Sequence, residues 1–230
     1  MLYDPEEIEI ISKATQVNLR DPRRPRAPFV NILEDFISPR QFSAKTILDL
    51  GPGQFDLGEL TIPFGAVVDT IDNDPAVIAL GRHKGFRVFE LDLANLEPYV
   101  ARHSGQYDGL FCKFSFNAFW FSNPHDVKRH TDQLCALMKE DAWAWLAPWN
   151  GSYHGVPERL RGELLRAQID SFLAKGFHCL DLNNWQSHRY GVHGLTANRP
   201  IFTRHLSFRK PSTLKVLAGL CRQRLASIAC

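Results

Sequence analysis

The chain has 230 residues, 44% of them hydrophobic and 23% charged, with a formal net charge of +2. That balance is typical of a globular protein and excludes collagen-like, low-complexity and disordered classes. No apolar run reaches the roughly 18 residues a membrane-spanning helix needs, and the acidic, proline-broken start Met1-Leu2-Tyr3-Asp4-Pro5-Glu6-Glu7 is unlike a secretory leader.

Residues 1–45 read as a helical leader or lid. Within it, Asp21–Pro28 is a basic, proline-rich link, and Phe29–Ile37 has helical periodicity that stops before Pro39. A first strand is predicted over Thr46–Leu50, ended by Gly51-Pro52-Gly53, and a second over Ala66–Ile71. Asp74-Pro75 then opens a helix, the Asp as N-cap and the Pro in the first turn, and Gly85 stops it after Arg82-His83-Lys84. Strands follow over Phe86–Leu91 and Tyr107–Cys112, a helix over His125–Met138, and a strand over Ala142–Ala147. A long helix runs from Pro157 to Lys175, and Phe177–Leu182 and Ile201–Phe208 are the last strands. Alternation of this kind predicts a three-layer α/β/α sandwich around a mostly parallel seven-stranded sheet. The last two strands lack a helix between them, so they are expected as an antiparallel hairpin at one edge. The main domain is expected over residues 46–208, with 209–230 as a tail.

Charge is unevenly spread. From Arg204 onward there is no acid, and removing the six bases of that stretch leaves 21 basic against 25 acidic residues. The tail Pro211–Cys230 interleaves Leu214, Val216, Leu217, Leu220, Leu225 and Ile228 with bases, a basic amphipathic helix that packs on the domain or rests on an anionic membrane surface. The acidic body argues against nucleic acid as a partner. Five cysteines without a CxxC pair suggest neither a disulfide framework nor a metal site, but reduced thiols in a cytoplasmic protein.

Ligands of open α/β sheets bind beyond the carboxyl ends of the strands. The first exit carries Asp49, Gly51 and Gly53, the glycines allowing a tight turn and close backbone approach. The second carries Asp72, 21 residues beyond Gly51, where a carboxylate can accept both hydroxyls of a ribose. The third carries Asp92 between Leu91 and Leu93: the acid can accept from a ring amine while the leucines sandwich the ring. Each feature has a plainer reading as a turn or a helix cap; three at successive exits with this spacing are far more specific. A dinucleotide fingerprint would place Gly at 56, where this chain has Asp56, whose charge repels a pyrophosphate.

With these residues in place, the chain resembles the class I S-adenosylmethionine-dependent methyltransferases, a seven-stranded Rossmann-like family, over about residues 46–208. Asp49, Gly51 and Gly53 match the family's D/E-x-G-x-G-x-G motif, with Phe55 where its third glycine is usual. The resemblance makes Asp72 the ribose-binding acid, Asp92 the adenine-binding acid, and S-adenosyl-L-methionine the cofactor. Met138–Trp143 occupies the place of the L-K-P-G-G turn before strand five, without its glycines, and Lys175-Gly176-Phe177 resembles the turn into strand six.

The acceptor side is less defined. Phe111–Asn117 lacks the Asn/Asp-Pro-Pro-Tyr/Phe motif of amino-methylating members, and offers Lys113 as a base or hydroxyl-orienting group. The fifth exit holds Trp149, Tyr153 and His154, an aromatic wall with a base that titrates near neutrality. Trp185, His188, Tyr190 and His193 could close the far side. The expectation is methyl transfer to a small-molecule or saccharide acceptor at oxygen, with Lys113 and His154 as catalytic candidates. The alternatives are a nicotinamide-dependent oxidoreductase and a non-catalytic binding protein on the same fold.

Overall fold

A computed structural model of the chain describes residues 4–13, 42–113, 120–147, 156–181 and 206–209. The helices are α1 (Pro5–Ser12), α2 (Asp56–Thr61), α3 (Pro75–His83), α4 (Glu97–His103), α5 (Pro124–Leu137) and α6 (Glu158–Ala174). The strands are β1 (Thr46–Leu50), β2 (Val67–Asp72), β3 (Arg87–Glu90), β4 (Tyr107–Lys113), β5 (Met138–Ala147), β6 (His178–Asp181) and β7 (Leu206–Arg209). They form one sheet in the order β3-β2-β1-β4-β5-β7-β6. Pairs from β3 to β5 are parallel, while β7 runs antiparallel to both β5 and β6. The Phe29–Ile37 helix and the Pro211–Cys230 tail lie outside the described residues.

Alternation along the strands sorts side chains to the two faces. Leu48, Leu50, Ile71, Leu110, Cys112, Ala144 and Leu146 pack with α4, α5 and α6 through Tyr99, Val127, Leu134, Leu164 and Phe172. Ile47, Val68, Phe111, Trp143 and Trp145 face the other way, against Phe42 and Leu57 of α2. A third cluster on α3 joins Val77 and Leu80 to Phe55 and Phe86, with Ile10 of α1 packed against it. Gly109 lies under the Trp143 indole, where a Cβ would come within 2.3 Å of the ring. A strand glycine here lets a neighbouring ring lie flat on the sheet.

Asp74 caps α3 as expected, its carboxylate accepting from the Ala76 amide at 2.8 Å with Pro75 in the first turn. Asn123 does the same for α5. Three elements differ from the sequence reading. The short helices α2 and α4 are absent from the sequence reading. The segment before Ala142 is not a turn but the start of β5, which begins at Met138; its register against β4 jumps from Tyr107↔Met138 to Gly109↔Trp143. Without the glycines a tight turn needs, this segment stays extended and absorbs the extra residues as an irregularity. Lys139 there bonds Asp108 at 2.7 Å. Burial opposes the charge on Asp108, but Lys139, the Thr46 amide and Lys45 together hold its carboxyl below the usual range.

One buried charge lies within the sheet. Asp69 on β2 is almost inaccessible and is held by Arg87 on β3, with Nε at 2.6 Å, and by the Tyr107 hydroxyl at 2.9 Å. The Tyr99 and Tyr107 hydroxyls bond each other, and burial pushes Tyr99 up to about 12. Tyr107→Phe keeps the shape and removes one donor from a desolvated carboxylate. It is expected to lower the unfolding free energy by about 1–3 kcal/mol, measured by urea denaturation; an unchanged midpoint would show that Arg87 alone satisfies Asp69.

Candidate functional site

The strand order reverses at β1, with β2 on one side and β4 on the other. Such a switch point opens a crevice at the carboxyl edge of the sheet. The sequence puts its acids and glycines there.

β1 is buried from Ile47 to Leu50, and its apolar side chains anchor the strand on both faces. Beyond it Gly51 and Gly53 adopt φ of 68° and 56°, left-handed values that suit glycine. A Cβ on Gly53 would meet nothing within 4 Å, so the loop faces open space there. The Gly51 amide donates to the Ile71 carbonyl at 2.9 Å, and the Leu91 amide to the Asp72 carbonyl at 3.1 Å. These two bonds tie the first exit to the second and the second to the third.

Asp49 is only 3% exposed. Burial, then the charges of Asp72 and Asp56, push its carboxyl well above the usual range. Asp56 itself is buried in the first turn of α2. Asp72 ends β2 and accepts from the Asp74 amide at 2.9 Å. Burial raises its carboxyl, as does Asp74, against the pull of the Asp74 and Asn73 amides. Asp92 is exposed beyond β3, its carboxylate accepting from the Ala94 amide at 2.9 Å. Leu93 beside it is buried. The structure thus brings Asp49, Gly51, Gly53, Asp72, Asp92 and Leu93 to adjacent exits of one sheet edge.

Phe55 takes the place and the conformation of a glycine. Its backbone sits at φ 64°, ψ 23°, a left-handed region costing a residue with a Cβ about 1–2 kcal/mol. Its ring is fully buried and stacks on Phe86 at 5.0 Å. Gly81 leaves the space for it, since a Cβ there would lie 2.4 Å from the ring; Gly58 does the same for Phe86. Packing holds the strained backbone in place.

His130 is a site residue that the sequence does not single out. It lies on the buried stripe of α5 with Val127, Thr131 and Leu134, and its Nε2 donates to the Leu93 carbonyl at 2.6 Å. Burial lowers it to about 4, which keeps the ring neutral. It fixes the Asp92-Leu93 turn to α5. The signal for it was a histidine on an apolar helical stripe, which by itself does not name its partner. Of the catalytic candidates, Lys113 ends β4 opposite Ala147, the last residue of β5. His154, along with Trp149 and Tyr153, lies outside the described residues.

The carboxylates suit a cation and hydroxyl donors. Asp49, Asp56 and Asp72 share one edge, and the first has its ionised form disfavoured by the other two. A ligand bearing positive charge and a ribose fits that set of acceptors; a pyrophosphate would meet the charge of Asp56 at the start of α2. Among the described residues, no group of three His, Cys, Asp or Glu is placed to hold a metal ion.

No model of a known protein family matches the chain, and no curated protein matches its sequence. Solved structures do match its shape. The bifunctional kinase-methyltransferase WbdD aligns over 89% of this chain and 46% of its own, at 12% identity and a TM-score of 0.57. A protein of echinomycin biosynthesis, which converts a disulfide bond into a thioacetal group, aligns over 91% of both chains at 12% identity and a TM-score of 0.53. A protein from Corynebacterium glutamicum aligns over 92% of both at 14% identity and a TM-score of 0.50. At such identities the likeness is one of fold, and it agrees with the strand order. The chain has a seven-stranded Rossmann-like α/β fold that the methyltransferase structure WbdD shares.

Proposed function

We propose that the protein binds S-adenosyl-L-methionine at the carboxyl edge of its sheet and transfers the methyl group to a small-molecule or saccharide hydroxyl. The observation that carries this reading is the row of Asp49, Asp72 and Asp92 at the exits of three adjacent strands, beside a left-handed glycine loop. When bound, the cofactor supplies an electrophilic methyl on a sulfonium centre. Asp72 accepts from the ribose hydroxyls. Asp92 accepts from the ring amine beside Leu93, and Asp49 with the Gly51–Gly53 loop holds the charged end. Catalysis on this plan is mostly alignment of two reactants. A hydroxyl acceptor also needs its proton removed, the role given to His154 or to Lys113, which ends β4. The carboxylate of Asp56 opposes a nicotinamide dinucleotide in the same place.

Incubation with S-adenosylmethionine carrying a labelled methyl, against panels of saccharides, phenols and amines, tests the assignment. Label transferred to a hydroxyl acceptor, lost in His154→Ala or Lys113→Ala, supports it. Transfer only to amines would overturn the oxygen assignment, and no transfer to any panel would favour a non-catalytic binding protein.

Asp49 gives the reading a pH signature. Its carboxyl is raised in the free protein, mainly by burial. A cationic ligand favours the ionised form, so binding should release protons and strengthen as pH rises through the raised pKa of the free protein. The stability sign is the opposite. With a folded pKa above the unfolded one, the carboxyl's contribution is complete below the unfolded pKa and lost as pH rises through the folded one. Asp49→Asn is therefore expected to stabilise the free protein at neutral pH while weakening cofactor binding. Calorimetry in buffers of different ionisation enthalpy measures the proton release, which Asp49→Asn should remove; equal release in the variant would place the titrating group elsewhere.

A further inference from the structure

We propose that Phe55 is the positioning residue of the Gly51–Gly53 loop, and that α1 braces this loop from outside the sheet through Ile10. The consequence for cofactor affinity rests on the reading above; the brace itself does not.

The loop is short and is held at both ends. At one end the Gly51 amide bonds the Ile71 carbonyl at 2.9 Å. At the other, the Phe55 amide bonds the Pro52 carbonyl and the Phe55 carbonyl accepts from the Glu59 amide, both at 3.0 Å. Phe55 is left-handed, a conformation its own backbone disfavours. The seat of its ring therefore sets the outgoing end of the loop. That seat is made by Phe86, Val77 and Leu80, with Gly81 of α3 beneath the ring, and is completed by Ile10 of α1. A residue that prefers another conformation stays in this one only while its surroundings hold it.

α1 is built and docked for such a role. Asp4 and Glu7 cap each other's amides reciprocally, at 2.8 and 2.9 Å. This capping box organises a helix too short to be stable alone. Its acids then meet the end of α3. Asp4 and Glu6 lie 3.1 and 3.4 Å from the nitrogens of His83, and Glu7 pairs with the largely buried Lys84 at 2.5 Å. Lys84 also pairs with Glu59 of α2, the helix that starts immediately after Phe55. So α1 reaches the loop by two routes, Ile10 against the aromatic seat and Glu7 through Lys84 to α2.

The test uses the full chain and two measurements. The first is residue-resolved amide hydrogen exchange of the free protein. Ile10→Ala is expected to speed exchange at the bonded amides of Phe55 and Glu59 by about 10-fold relative to wild type, with β4 and β5 amides unchanged; Ile10→Leu should restore protection. Wild-type protection at Phe55 and Glu59 in Ile10→Ala would overturn the brace. The second is S-adenosylhomocysteine affinity at a temperature where circular dichroism shows every variant folded, which a purely structural loss would not move. Ile10→Ala should weaken binding about 3- to 10-fold in the Phe55 background and less than about 2-fold in Phe55→Gly, where the path is cut. Equal losses in both backgrounds would overturn the role of Phe55. Should Phe55→Gly fail to fold, Phe55→Leu, which keeps an apolar side chain but loses the stacked ring, replaces it with the same expectation of reduced coupling. If wild type binds no S-adenosylhomocysteine, the cofactor reading falls, and the exchange data alone decide the brace.

Discussion

Asp72→Ala is expected to lower affinity for S-adenosylmethionine and S-adenosylhomocysteine by about 100-fold or more, with the fold retained. A hydrogen bond to a charged acceptor contributes about 1.5–3 kcal/mol, and two ribose hydroxyls would lose theirs together. About 2.7 kcal/mol already corresponds to 100-fold. The side chain is partly accessible at the end of β2 and accepts from the Asp74 amide at 2.9 Å. Loss of that bond should cost little, because Asp74 caps α3 with its own carboxylate. Asp72→Asn keeps one carbonyl acceptor and should fall between the two. Calorimetry gives the affinities and thermal unfolding checks the fold. An Asp72→Ala affinity within threefold of wild type would mean that this acid is not the ribose acceptor.

Gly81→Ala and Gly162→Ala should move stability in opposite directions. Both glycines lie inside helices, where alanine is intrinsically better by about 1 kcal/mol. At Gly162, on the exposed side of α6, a Cβ meets nothing within 4 Å. Gly162→Ala should therefore stabilise by about 0.5–1 kcal/mol. At Gly81 the Cβ would lie 2.4 Å from the Phe55 ring and 2.4 Å from a Val88 methyl. Those neighbours are packed in the aromatic seat and cannot swing away. Overpacking of a filled core costs about 1–3 kcal/mol and sometimes more, which exceeds the helical gain. Net loss of about 2 kcal/mol should lower the melting temperature of a protein this size by about 4–8 °C. A stabilising Gly81→Ala would show that the stack yields easily, and would weaken the case for Phe55 as a fixed point.

The parts legible in the sequence were those written in consecutive residues. Asp49, Asp72 and Asp92 could be placed at strand exits because apolar runs end just before them. The Asp74-Pro75 start of α3 was legible for the same reason. What escaped needed distant partners. Phe55 shows only that a glycine is absent; that it takes the glycine's backbone depends on Gly81 and Phe86, far along the chain. His130 reads as one more core position until Leu93 is folded beside it. The charge of Asp69 inside β2 makes sense only with Arg87 and Tyr107 in place. The start of β5 is hidden because Lys139, Glu140 and Asp141 look like a turn in sequence, although Lys139 is held to the sheet by Asp108. Helix α4 spans only seven residues, too few for a periodic signal.

The most direct test of the central claim is a calorimetric titration of wild-type protein with S-adenosylmethionine and S-adenosylhomocysteine, with NADH as the contrasting ligand. Micromolar binding of the first two at one site per chain, with no heat from NADH, is the predicted result. Binding of NADH in their place, or no binding of any of the three to folded protein, would contradict the assignment of the acidic strand exits to this cofactor.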